Sequence, residues 1–204
     1  MRLILLRHGN TFESHETPLQ VGSQTDLPLT ETGKTQALDF AHYLIKEKII
    51  PSAIYAGGLK RQIETAQIVA KELCIEDKMH LHEEALNEVD YGSWEGLSSE
   101  QILMGWPDEY AAWSQQSFWP EAIFGRSFDW HRDQIKEWME HLGSIYKGDE
   151  MVVGVTSNGI MRFFYSLCKE TNSAEAGKVK TGNFCELSLE GKELILKKWN
   201  HHTK

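Results

Sequence analysis

The sequence predicts an α/β fold in three layers, with a mostly parallel central sheet flanked by helices and a small helical lobe inserted over the candidate active-site end. Three observations carry this. Leu3-Ile4-Leu5-Leu6 and Met151-Val152-Val153-Gly154-Val155-Thr156 are short, nearly unbroken apolar runs, the pattern of strands covered on both faces, as in a parallel sheet. Stretches with helical apolar spacing lie between them. Residues 94 to 130 are crowded with aromatic side chains that follow no single period, which suggests a packed lobe, with one or two rings at most lining a ligand mouth.

In order, the first strand ends on Arg7-His8-Gly9-Asn10. Strand carboxyl ends face the ligand crevice of open α/β sheets, and a glycine there allows a tight turn and close backbone approach. An arginine beside a histidine suits an anionic, phosphorylated ligand that the imidazole attacks, although a polar strand end with a surface ion pair is the plainer alternative. Residues 11 to 29, with Pro18, Gly22 and Pro28, read as an irregular loop over the crevice. Thr30 reads as the N-cap of a helix running to about Lys48, with Ala37, Phe40, Ala41, Leu44 and Ile45 along one face. Ala53 to Ala56 is a second strand. The next helix carries the stripe Leu59, Ile63, Ala66, Val69, Ala70 and Leu73. Arg61 stands in its first turn, where the helix dipole favours anions, so a bound anion would resolve the conflict.

His80 to Leu86 reads as a third strand. Its alternation argues against a metal site at His80, His82, Glu83 and Glu84. A loop from Asn87 to Gly96 leads into the lobe, a helix from about Ser127 to Leu142 returns the chain, and the fourth strand, Met151 to Thr156, ends at Ser157-Asn158-Gly159 before a helix through Phe163, Phe164 and Leu167. The tail reads as a hairpin, Phe184 to Leu189 and Glu193 to Trp199, turning at Glu190-Gly191.

With 204 residues, the chain suits one domain over 1–204, with the lobe at about 94–130 as part of it. A net charge of -9 and a pI near 5.5 argue against nucleic acid or an anionic membrane surface as partner, so any phosphate site must be a local positive pocket. Cys74, Cys168 and Cys185 are far apart and odd in number, which fits buried thiols in a reducing compartment, and no run reads as a leader or membrane span. A cytoplasmic location is the expectation.

Four motifs in order, Leu6-Arg7-His8-Gly9-x-Thr11, Asp26-Leu27-Pro28-Leu29-Thr30-x-x-Gly33-x-x-Gln36-Ala37, Leu59-Lys60-Arg61-x-x-x-Thr65-Ala66 and Leu86-x-Glu88-x-x-x-Gly92-x-Trp94-Glu95-Gly96, resemble the histidine phosphatase superfamily, which includes phosphoglycerate mutase and alpha-ribazole phosphatase. The resemblance covers nearly the whole chain. It implies that His8 is the phosphorylated nucleophile, Arg7 and Arg61 clamp the phosphoryl group, Glu88 donates a proton to the leaving group, and neither metal nor other cofactor is needed. Asp90 and Glu95 lie close enough in sequence to compete for the carboxyl role. The resemblance also implies phosphate contacts at Asn10 and at Ser14, where many members carry asparagine.

The chain departs from the family where the fourth strand usually ends in His-Gly-Gly. Ser157 stands in place of that histidine, with Asn158 after it, and Ala56-Gly57-Gly58 replaces a serine-proline turn. A hydroxyl supplies one hydrogen bond but no imidazolium, and losing one preorganised donor typically costs about a hundredfold to a thousandfold in rate. Ser157 reads equally well as an N-cap. Asn158, His15 or His131 are candidates to compensate, and Ser157→His is expected to raise turnover. The leading expectation is therefore a metal-independent phosphomonoester hydrolase acting on a small phosphorylated metabolite. The alternatives are an impaired relative that only binds a phospho-ligand or a protein, and a phosphoglycerate mutase.

Overall fold

The computed structural model describes residues 1–116, 118–169 and 178–203. Its strands are β1 (Arg2–Arg7), β2 (Ala53–Ala56), β3 (Met79–His80), β4 (Met151–Thr156), β5 (Cys168–Lys169), β6 (Phe184–Glu190) and β7 (Glu193–His201). They form one sheet in the order β3-β2-β4-β1-β6-β7-β5. The pairs β3/β2, β2/β4, β4/β1 and β7/β5 are parallel, while β1/β6 and β6/β7 are antiparallel. The mostly parallel α/β architecture expected from the sequence is the one found.

Alternate residues of the central strands feed two cores. Ile4, Leu6, Val153 and Val155 pack with Ala37, Phe40, Ala41 and Leu44 of α1 (Glu31–Lys46) and with Ala66, Val69 and Ala70 of α2 (Lys60–Glu72). Leu3, Leu5 and Val152 face α5 (Phe128–Ile145), α6 (Asn158–Leu167) and the lobe. Being covered on both faces, β1 and β4 have no polar side to encode, which is why their sequences run apolar without alternation. Thr30 caps α1 as expected, its Oγ1 accepting from Gly33 N at 3.1 Å. Thr30→Ala should cost about 1 kcal/mol of stability in denaturant titration.

The lobe contains α3 (Ser99–Gly105) and α4 (Pro107–Gln116). It is built around Trp94, which is fully buried and meets Phe124, Trp113 and Tyr110 edge-on at ring centroid distances of 5.2, 5.6 and 5.9 Å. These rings are packing, as expected for most of the lobe.

Three expectations need correction. The strand expected over His80 to Leu86 stops at His80, because His82 adopts a left-handed backbone (φ 66) that a strand cannot continue through, and Glu84–Leu86 forms a short 3-10 turn. A two-residue strand, β5, follows α6 and pairs with β7, which the sequence reading did not anticipate. Cys168 and Cys185 are buried thiols, but Cys74 is exposed. Among the described residues, no helix is long and apolar enough to cross a membrane.

Candidate active site

Parallel pairing brings the carboxyl ends of β1, β2 and β4 side by side. Arg7 pairs with Thr156 and Ala56 with Val155, and the ladder continues into the loops, with His8 N donating to Thr156 O at 3.0 Å and Gly57 N to Val155 O at 3.4 Å. Three polar loops distant in sequence thus meet at the crevice where such sheets bind ligands.

His8 is buried, and its ring orientation is fixed from both sides. Nδ1 lies 2.8 Å from the Gly9 carbonyl oxygen, which can only accept, so Nδ1 carries the proton and Nε2 presents its lone pair. Arg61 Nε donates to Nε2 at 3.3 Å. Burial, then the charges of Arg61 and Arg7, hold the imidazole well below its ordinary pKa and keep it neutral. The turn is possible because two glycine backbones touch. A Cβ on Gly9 would sit 2.2 Å from Gly33 O, and one on Gly33 would sit 2.3 Å from Asn10 O.

Arg61 is almost fully buried in the first turn of α2, where its charge opposes the helix dipole. Nη1 and Nη2 donate to Thr25 O at 2.9 Å and Gly22 O at 3.0 Å, tying down the loop that precedes α1. Arg7 Nη1 donates to Val179 O at 2.5 Å, while Arg7 Nε is buried with no partner among the described residues. Burial lowers both guanidinium pKa values, with Glu88 acting in the opposite direction.

Glu88 is the buried carboxyl of the site. Its Oε1 accepts from Val89 N at 2.9 Å and its Oε2 from Gly159 N at 3.3 Å. Burial raises its pKa, opposed by those N–H groups and by Arg61 and Arg7. Gly159 must lack a side chain, because its Cβ would fall 2.3 Å from Glu88 Oε1 and 2.7 Å from the Tyr91 hydroxyl. The competing carboxylates hold loops instead. Asp90 Oδ1 accepts from Gly92 N, and Glu95 accepts from Gln24 N, Tyr91 N and Thr25 Oγ1.

Ser157 is fully buried at the start of α6, and its side chain does not cap the helix. Its Oγ accepts from Gln62 Nε2 at 3.0 Å. Asn158 Oδ1 accepts from Val179 N at 2.8 Å, so this oxygen braces the chain that also holds Arg7. Asn10 Oδ1 accepts from Gln36 Nε2 and Thr181 Oγ1. Ser14 is exposed in a turn, and among the described residues no hydrogen bond ties it to His8 or the arginines. Neither candidate imidazole joins the cluster. His15 is exposed, and His131 packs against Trp119, Trp130 and Phe163, with burial and Arg126 pushing its pKa down to about 4.

The sequence reading missed Gln62, Tyr91 and Asn87, whose Oδ1 accepts from Gly58 N at 2.6 Å. For Gln62 a signal existed. It shares one helical stripe with Ala66 and Val69, and a polar residue on an apolar stripe needs a buried partner. Among the described residues, no group of three His, Cys, Asp or Glu side chains could hold a metal ion.

Known proteins are similar to this chain over most or nearly all of its length. A metal-independent phosphoserine phosphatase from Arabidopsis thaliana is 29% identical over 199 residues, covering 97% of this chain and 80% of its own. A phosphoglycerate mutase-like protein from the same plant is 32% identical over 164 residues, covering 80% and 69%. The native structure of a mycobacterial glucosyl-3-phosphoglycerate phosphatase superposes with a TM-score of 0.80 at 26% identity, covering 98% of this chain and 99% of that one. With residues 3–202 matching the family model, the chain belongs to the histidine phosphatase superfamily, branch 1.

Proposed function

We propose that this protein is a phosphomonoester hydrolase that acts on a small phosphorylated metabolite through a phosphohistidine at residue 8, without a metal. One observation carries the reading. A neutral His8 is locked with Nε2 as its acceptor nitrogen. The N–H that fills that lone pair comes from Arg61, a cation that an incoming phosphoryl oxygen draws to itself, and the buried Nε of Arg7 has no partner among the described residues. Glu88 acts on both guanidinium groups, and Asp26 and Glu95 on Arg61, yet neither arginine makes an ion pair among the described residues, so both charges are available to a phosphoryl dianion.

The chemistry follows in two steps. A phosphoryl oxygen takes the Arg61 Nε–H from His8 Nε2, the freed lone pair attacks phosphorus in line, the ester P–O bond breaks, and protonated Glu88 gives its proton to the leaving oxygen. Water then attacks the phosphohistidine, Glu88 takes its proton, and phosphate leaves with His8 neutral again. Arg7 and Arg61 offer forked donors to the phosphoryl oxygens as charge spreads over them. Asn10 adds its amide N–H groups, whose orientation is set because its oxygen is already engaged. Ser157 adds its hydroxyl. The side-chain oxygen of Asn158 is committed elsewhere, and Ser14 approaches only if its loop moves. Relatives named for phosphoserine and for glucosyl-3-phosphoglycerate support a small metabolite as substrate, and the net charge of -9 supports neither nucleic acid nor an anionic membrane.

The test is an aryl-phosphate assay in EDTA with brief quenching and peptide mass spectrometry. Expected are turnover and an acid-labile, alkali-stable phosphate on His8. Turnover that requires an added divalent metal, or phosphate on another residue, overturns the mechanism. Ser157, a hydroxyl where the family resemblance places an imidazole, favours a second reading, a relative that binds phosphate without hydrolysing it. Phosphate binding with no turnover between about pH 5 and about pH 8 decides for that reading.

A further inference from the structure

Gln62 is fully buried, and both of its amide hydrogens are used. Nε2 donates to Leu86 O at 2.8 Å and to Ser157 Oγ at 3.0 Å. A carbonyl oxygen can only accept, so the amide face toward Leu86 must be the nitrogen, and the Ser157 oxygen is thereby also an acceptor. On the other side, Leu59 N lies 3.4 Å from Gln62 Oε1. The carboxamide cannot turn over without losing these bonds. Ser157 itself is flanked along the chain by contacts to both reacting groups. The residue before it takes the His8 N–H, and the residue two later gives its N–H to Glu88. Its hydroxyl proton has no acceptor among the described residues.

We propose that Gln62 is a positioning residue: by filling one lone pair of Ser157 Oγ, it directs the Ser157 proton at the phosphoryl oxygen held between His8 and Arg7. This deepens, and rests on, the phosphatase reading above. The pair stands where the family resemblance places a histidine, and it offers a neutral donor that does not titrate. It also revises the expectation for Ser157→His. An imidazole at this position would extend into the space of the Gln62 amide, 3.0 Å from Oγ, so the single substitution should lower turnover. Gln62→Ala/Ser157→His has room for the ring and should exceed Ser157→His at least about tenfold.

The experiment measures aryl-phosphate kcat and KM, orthovanadate affinity by calorimetry, and melting temperature for the wild type, Ser157→Ala, Gln62→Met and the double variant. Methionine keeps the volume and removes the donor, and Leu86 O retains Thr156 Oγ1 at 2.7 Å. Ser157→Ala should lose about a hundredfold in kcat with a smaller change in KM. Gln62→Met should lose about tenfold when Ser157 is present and nothing further in the Ser157→Ala background, with vanadate affinity following the same pattern. Losses that multiply in the double variant, or an unchanged kcat and vanadate affinity in Ser157→Ala, overturn the proposal. A wild type that binds vanadate with this pattern yet hydrolyses nothing overturns the phosphatase reading and leaves this inference standing. One that does neither ends both. Should Gln62→Met fail to fold, the comparison of Gln62→Ala/Ser157→His with Ser157→His decides, and a single variant as active as the double overturns the proposal.

Discussion

His8→Ala is expected to lower aryl-phosphate turnover by on the order of a hundred-thousandfold, because the reaction loses the atom that takes the phosphoryl group and water cannot substitute for it at the same position. Binding should respond differently. The forked contacts belong to Arg7 and Arg61, and removing the ring frees Arg61 Nε, now 3.3 Å from His8 Nε2, to meet an oxyanion. Calorimetry with inorganic phosphate should therefore give an affinity within about tenfold of wild type. Stability gives a further check. The folded-state pKa of His8 lies well below 6.5, so the unfolded chain binds this proton more readily, and the folded protein loses stability as pH falls below 6.5 toward the folded value. The alanine variant lacks that linkage and should lose less melting temperature than wild type between about pH 6.5 and about pH 5. Turnover that survives the substitution would assign the nucleophile elsewhere. Loss of both turnover and phosphate binding would make His8 a structural prop of the pocket.

What the sequence revealed and what it hid separate along a physical line. Leu3 to Leu6, Ala53 to Ala56 and Met151 to Thr156 were legible because burial on both faces leaves an apolar run that no exposed segment carries. Arg61 was legible because its charge opposes the helix dipole, and the structure gives it the imidazole and two carbonyls that justify its place. The break at His82 was not, because its left-handed backbone is imposed by the turn that delivers Leu86 to the core rather than by composition. The partnership of Gln62 with Ser157 was hidden for another reason. It joins residues 95 apart in sequence, and the departure at Ser157 can be read alone as a loss until the amide beside it is seen.

The other large expected effect belongs to Glu88, and it depends on the leaving group. Glu88→Gln keeps the shape but removes the proton that an alkoxide needs on departure, so an alkyl phosphate should lose about a thousandfold in kcat. Aryl phosphates leave as stabilised phenolates and should lose far less. Phosphate should also bind more tightly, since the substitution removes the buried carboxyl whose charge offsets Arg7 and Arg61. The pH profile tests the same group independently. Burial raises the Glu88 pKa above 4.5, so the acid form survives into less acidic solution than for an exposed carboxyl, and alkyl-phosphate turnover falls as pH rises through the raised value. In Glu88→Gln that alkaline limb should vanish. The sign for stability runs the same way: a raised folded pKa stabilises the fold below the unfolded value, and this contribution is lost as pH rises through the folded one. Wild type should thus lose melting temperature over that window while the glutamine variant does not. Equal losses on alkyl and aryl substrates, with the alkaline limb intact, would mean that Glu88 only holds Val89 and Gly159 in place and that another group supplies the proton.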